Sequence, residues 1–341
     1  MILNGLRTQV SPIGLVHDSN EFRAVQLVRT KNTITPLACV RFPRKSGRSG
    51  VVDADEYRWA GSMLARKGMV GNAVNIIPDS AWCSSHIFEL PPVPDLHAKQ
   101  QLARVEVARS KKCPPAAFEL GCWDLPAKGR ASESMAISCQ RSSLDQALDE
   151  IEQAGLRVAA VDLPELAITR TLGEVESDQG ITGILHVGWG ESLVVIQHEG
   201  VVVYQRRIEA GLGELHERLC TQYAFAHQTA SYLVDRIHRG ELCDNERPIR
   251  GMWQGFARSL AENLDVAIGY VSHAYRMADL GSIYLSGYGG SSEDLIEQVD
   301  AVLGMPVHPL VMPVLAGSGL SSPQCALFAI PYGLAARFDR Q

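Results

Sequence analysis

Residues 181–213 read ITGILHVGWGESLVVIQHEGVVVYQRRIEAGLG, and this pattern leaves few folds open. Three apolar, β-branched runs are joined by two tight turns, Gly188-Trp189-Gly190 and Glu199-Gly200. That is the signature of a three-stranded antiparallel unit. The design recurs near the N-terminus, with strands over 13–16, 22–28 and 35–42 and a polar turn from His17 to Glu21. Two such units about half a chain apart predict a duplicated α/β fold. A cleft between similar halves is a common place for a ligand.

The remaining elements follow from periodicity and caps. A helix over 53–67, with Asp53 or Asp55 at its start and Gly68 past its end, and a strand over 71–77 complete a βββαβ unit. Residues from about 80 to 160 read as a separate α+β module: strands at 84–90, 116–123, 134–139 and 156–161, and helices at 95–109 and 142–154. Asp95 and Ser142 are the expected N-caps. Pro164 opens a further helix to 172, and 174–180 is a polar linker. Helices over 211–223, 225–238 and 252–278 follow the second unit. A strand, the turn Gly287-Tyr288-Gly289-Gly290 and a helix over 291–303 come next, then a short strand at 307–310 and a closing helix over 323–338.

Composition excludes several classes. With 341 residues, 46% hydrophobic and 21% charged, the chain builds sizeable cores. A net charge of -6 argues against a nucleic-acid partner. The cluster Arg41, Arg44, Lys45 and Arg48 reads as a solvated hairpin loop rather than a lipid contact. No signal peptide or membrane-spanning run is present, which predicts a cytoplasmic protein. The eight cysteines include no CxxC pair, so free thiols are expected and no metal site. The motifs GxxxxGK[ST], HExxH and GxSxG are missing. No catalytic residue is assigned.

A strand, glycine turn and helix, as at 283–303, is a nucleotide-binding geometry, because glycines admit a close ligand and helix N-termini favour anions. In this order, after two hairpin units and a long helix, the chain resembles the PilM family of actin-like type IV pilus assembly proteins. The matching motifs are Ile13-Gly14-Leu15-Val16-His17-Asp18-Ser19-Asn20 with Arg23-Ala24-Val25-Gln26-Leu27, Glu89-Leu90-Pro91-Pro92, Gln153-Ala154-Gly155-Leu156 through Asp162 to Arg170, Arg206-Arg207-Ile208-Glu209-Ala210-Gly211, Leu285-Ser286-Gly287-Tyr288-Gly289-Gly290 and Gly333-Leu334-Ala335-Ala336-Arg337. The resemblance implies a duplicated actin-like (ribonuclease-H-like) fold with an inserted small α+β subdomain. Residues 1–79 correspond to the first part of subdomain 1A, 80–161 to the insert 1C, and 162–178 to a return helix of 1A. Residues 179–322 correspond to the second domain, and 323–341 to a closing helix of 1A.

It also implies an ATP cleft bordered by Asp18, Ser19, Asn20, Gly188, Gly190, Gly211, Gly287, Gly289 and Gly290. This sequence departs from an active site there. The carboxylates that hold magnesium or position water in actin-like ATPases fall on Val16 and His186. Magnesium-dependent binding is therefore expected to be weak and ATPase activity impaired or absent. Asp18 offers a carboxylate from a shifted turn. His186 reads as a strand-end histidine bonded to neighbouring backbone in preference to a phosphate ligand. Tyr288 either stacks on a base or fills its place.

The function implied is a scaffold at the inner-membrane platform of a type IV pilus or type II secretion system. It would bind the cytoplasmic N-terminal tail of a PilN-like bitopic membrane protein, and other platform proteins, and be peripheral to the membrane through that partner. The docking groove would lie between the first subdomain and the insert, with 84–90 and 96–109 as the contact segments. The alternative is an active actin-like ATPase or nucleotide switch, similar to FtsA and filament-forming; no amphipathic tail follows the final helix.

Overall fold

A computed structural model describes residues 8–31, 33–45, 51–91, 95–126, 133–173, 175, 180–241, 247–275 and 280–338. In chain order come β1 (Thr8–Val10), β2 (Ile13–His17), β3 (Glu21–Thr30), β4 (Thr33–Pro43), α1 (Ala54–Arg66) and β5 (Ala73–Ile76). Then come β6 (Cys83–Glu89), α2 (Leu96–Lys111), β7 (Phe118–Asp124), β8 (Glu133–Gln140), α3 (Arg141–Gln153), β9 (Arg157–Val161) and α4 (Pro164–Leu172). The second half carries β10 (Ile181–Val187), β11 (Ser192–His198), β12 (Val201–Ile208), α5 (Leu212–Gln222), α6 (His227–Arg239), α7 (Arg247–Ala274), β13 (Leu280–Gly287), α8 (Glu293–Leu303) and β14 (Val307–Pro309). The short helices α9 (Pro313–Ala316), α10 (Ser322–Leu327) and α11 (Ala329–Ala335) follow.

The expected duplication is visible in the strand pairing. In the first sheet β2 pairs antiparallel with β3, β3 antiparallel with β4, β2 parallel with β5 and β5 parallel with β9. In the second, β10, β11, β12, β13 and β14 repeat those pairings in the same order and sense. The short β1 adds to β3 beyond the end of β2. A third sheet, ordered β6-β8-β7, belongs to the inserted module.

Several boundaries differ from the sequence reading. The strand at 156–161 was expected within the insert; its parallel pairing with β5 places β9 in the first sheet instead. Ser142 is not an N-cap: α3 starts one residue earlier, behind Gln140. Asp53 and Asp95 do cap their helices, accepting from the amides of Glu56 and Ala98, each at 2.8 Å. The long helix begins at Arg247 rather than 252, with Pro248 in its first turn, where a missing N–H costs little. The closing helix is broken at Phe328, because Pro331 has no N–H to give the carbonyl four residues back. Ser46, Gly47 and Arg48 of the basic loop, Pro92, residues 174 and 176–179 of the polar linker, and 339–341 lie outside the described residues.

Alternation along β2 and β3 separates two cores. Ile13, Leu15, Phe22 and Ala24 pack with Tyr57, Ala60, Leu64 and Ile151 of α1 and α3. Val16, Val25 and Leu27 face the other way, into a larger cluster shared with α4, α7, α11 and the second sheet. This second core requires close backbone approach. A Cβ on Gly333 of α11 would lie 1.9 Å from the Ala167 carbonyl oxygen of α4, and one on Gly14 would lie 2.0 Å from that of Pro331. These glycines seat the closing helix against the first sheet.

Candidate functional site

The first hairpin turn, between β2 and β3, is built by Asp18. Its Oδ1 accepts from the backbone amides of Asn20 at 2.7 Å and Glu21 at 3.0 Å. Its Oδ2 accepts from Arg23 Nη2 at 2.8 Å and lies 3.3 Å from the Tyr288 hydroxyl. Both carboxylate oxygens are therefore engaged in holding the turn and the domain junction. Glu21 lies beside it, accepting from Tyr288 at 2.8 Å and from Arg41 Nε at 3.0 Å. Burial pushes the Glu21 carboxyl above the usual range, against the pull of Arg23 and Arg41.

The second hairpin turn follows β10. Gly188 and Gly190 flank Trp189, which is buried. Its carbonyl accepts from the amide of Gly213 at 2.8 Å, and the Gly188 carbonyl accepts from Leu212 at 2.9 Å. The first N–H groups of α5, which could have faced an anion, are thus already satisfied by the hairpin. The glycines serve this packing: a Cβ on Gly211 would fall 2.2 Å from the Trp189 oxygen. What remains of the cleft here is a cavity of about 220 Å³ lined by Ser19, Trp189, Gly190, Gly213, Glu214, His216 and Glu217. The two glutamates make it unsuited to phosphate.

Between the hairpins, Val16 belongs to the same apolar cluster as Val187, Trp189 and Tyr288. His186 is buried, and its Nδ1 shares a hydrogen bond of 2.9 Å with the Ser286 hydroxyl. Its partner is a side chain on the neighbouring strand β13, not the backbone expected. Burial, reinforced by the nearby Arg23 guanidinium, lowers its pKa to about 3, so the ring is neutral.

Tyr288 crosses from one half of the molecule to the other. It leaves the glycine turn of the second domain, is 2% exposed, and reaches across to Glu21 and Asp18 of the first. Arg23 lies over its ring, 5.2 Å from the centroid, and Trp189 meets it edge-on at 5.7 Å. The Tyr288 ring is thus packed among the protein's own side chains. The glycine turn is itself closed. Tyr288 and Ser292 donate to the Val187 and Gly289 carbonyls, each at 2.8 Å, and Gly289 donates to His238 Nδ1 at 3.1 Å. Burial, with Arg41 nearby, lowers the His238 pKa to about 4. A Cβ on Gly289 would meet the Trp253 indole at 2.8 Å, so that ring occupies the far side of the turn.

The nine residues expected at the cleft lie on the two hairpin turns, the start of α5 and the glycine turn after β13. They border a joint made of the protein's own side chains, and these residues do not fit a hydrated magnesium with a triphosphate. Glu21, Arg23, Trp189, His238 and Trp253 were not foreseen as its members. Glu21 and Arg23 did carry a signal: two charged residues at alternate positions, followed on the same face by Val25 and Leu27.

The same five-strand pairing repeated in two sheets around such a cleft defines the actin-like class. The family model described as type IV pilus assembly protein PilM matches residues 124–316, more than half of the chain. The chain belongs to this family. Its fold is similar to that of a PilM-PilN type IV pilus biogenesis complex, with TM-score 0.78, 16% identity, and 96% of this chain and 98% of that chain covered. It is also similar to the ethanolamine utilization protein EutJ from Carboxydothermus hydrogenoformans (TM-score 0.55, 15% identity, 98% and 92% covered). MreB 5 of Spiroplasma citri, bound to AMPPNP, gives TM-score 0.52 at 10% identity, with 96% and 94% covered. No curated protein matches the sequence. Among the described residues no helix is long and apolar enough to cross a membrane.

Proposed function

We propose that the chain is a cytoplasmic scaffold of a pilus or secretion platform that works without nucleotide turnover and binds the cytoplasmic tail of a PilN-like membrane protein. The observation that carries this reading is the Tyr288 hydroxyl seated on Glu21 beside Asp18, at the turn where the family resemblance would put phosphate and metal. The active-ATPase reading needs a carboxylate directed at a metal, and the Asp18 oxygens are consumed by Asn20, Glu21 and Arg23. The chain is then held peripherally at the inner membrane by its partner.

The peptide docks by extending the inserted sheet. β6 is an edge strand with Ser84, Ser85 and Ile87 exposed. An extended chain can pair with such an edge and place alternate side chains in pockets. Beside it opens a cavity of about 350 Å³ lined by Cys83, Ser84, Ser85, Ile137, Gln205, Arg206 and Arg207, between the insert and β12. Arg206 there favours an acidic side chain in the peptide, while Arg207 is already paired with Glu165 and Glu191. Fluorescence anisotropy with the N-terminal tail of the PilN-like partner tests this. Ile87→Asp is expected to weaken binding about 10-fold or more, about 1.4 kcal/mol, and Mg-ATP to leave it unchanged. Unaltered affinity in both Ile87→Asp and Arg206→Glu would remove β6 as the docking strand.

A further inference from the structure

Beside the joint, where α5 meets α6, three side chains converge that no phosphate or peptide role uses. His216 and Cys220 lie four residues apart on one face of α5, and His227 is the first residue of α6. Cys220 Sγ is 4.0 Å from His216 Nδ1 and 3.5 Å from His227 Nδ1. One ligand atom from each lies within 4.8 Å of the others. The spacing is H-x3-C-x6-H, which a search for paired cysteines passes over.

The surroundings fix the buried histidine as a ligand needs it. His216 Nε2 lies 3.2 Å from the His227 carbonyl oxygen, which can only accept, so Nε2 carries the proton. The lone pair of the neutral ring is then on Nδ1, the nitrogen directed at Cys220. Ser231, whose hydroxyl donates to the same carbonyl at 2.6 Å, also lies 3.4 Å from Nε2. A carbonyl holding the far nitrogen of an imidazole is the usual support of a metal-bound histidine, setting its tautomer and orientation.

We propose that His216 Nδ1, Cys220 Sγ and His227 bind one zinc-class divalent ion, with a fourth, solvent-facing position. Two imidazoles and a thiolate suit zinc, whose bonds of about 2.0–2.3 Å would draw the donors slightly closer than they stand. The set is graded from buried His216 through half-buried Cys220 to exposed His227, which gives an ion access from solvent. Binding would pin α5 to α6. The ring of Trp189 in the second hairpin is 5.8 Å from that of His216, and α6 carries the His238 that holds the glycine turn. The ion would thus stiffen the corner of the second domain that supports the joint.

The test uses the full chain stripped with a chelator and dialysed. Zinc is titrated by calorimetry. Cobalt(II) is substituted in parallel, because a cobalt–thiolate bond gives a near-ultraviolet charge-transfer band. Expected are one equivalent of zinc, a raised Tm, and a cobalt band that disappears in Cys220→Ser. Both Cys220→Ser and the exposed-site variant His227→Ala should bind zinc at least about 10-fold more weakly, with unchanged circular dichroism. Wild-type binding no tighter than in both variants, or cobalt uptake without a thiolate band, would overturn the assignment.

Discussion

Arg23→Ala lowers the unfolding free energy by about 3–5 kcal/mol, the cost of leaving buried carboxylates without their cation. The Arg23 side chain is 6% exposed, pairs with Asp18 at 2.8 Å and lies 3.7 Å from Glu21. It also covers the Tyr288 ring. Removing it takes the cation from Asp18 and the cover from Tyr288, so the loss falls on the contact between the two domains. Glu21 keeps Arg41, which places the effect short of complete unfolding. Arg23→Lys retains the charge but not the planar fork and should lie between wild type and alanine. Urea unfolding at neutral pH reads the difference. A loss below about 1 kcal/mol would mean that the ion cluster does not hold the joint.

Acidification from pH 7 to pH 5 costs the protein about 2 kcal/mol for each of His186 and His238. Their native pKa values are lowered from 6.5 to about 3 and about 4. The unfolded chain therefore takes up these protons first, and stability falls as the pH drops below 6.5 towards the native values. At about 1.4 kcal/mol per unit, the roughly 1.5 units between 6.5 and pH 5 give the stated loss. Glu21 and Glu165, whose carboxyls burial raises, act in the opposite sense: the native state protonates them first and gains stability on acidification. Comparing wild type with His186→Asn cancels that contribution. The variant retains a polar partner for Ser286 and should lose about 2 kcal/mol less between the two pH values. Equal pH dependence in both proteins would show that His186 is not held neutral in the fold.

The duplication was legible because it is a matter of period and turns. Residues 181–213 and their counterpart near the N-terminus are apolar runs cut by tight turns, and each became three strands of its sheet. The caps Asp53 and Asp95 were legible for the same local reason. The assignment of β9 was not, because a short apolar strand does not declare its neighbour, and only its pairing with β5 assigns it to a sheet. Pro331 was a local signal that outweighed the helical composition around it. At the cleft, the losses at Val16 and His186 could be read directly. That Tyr288 reaches Glu21 and Asp18 could not, since those partners lie about 270 residues away in sequence. Glycines 211 and 289 look like phosphate-loop residues in sequence, yet the Trp189 carbonyl and the Trp253 ring account for them.

Calorimetric titration of the intact chain with ATP, with and without Mg²⁺, decides whether the cleft is a ligand site or a joint. With Tyr288, Arg23, Trp189 and Trp253 in place, no saturable heat is expected in either condition at high protein concentration. Saturable binding that requires Mg²⁺ would contradict it. Asp18 would then have to leave Arg23 and Tyr288 to reach the metal, and the chain would be a nucleotide switch.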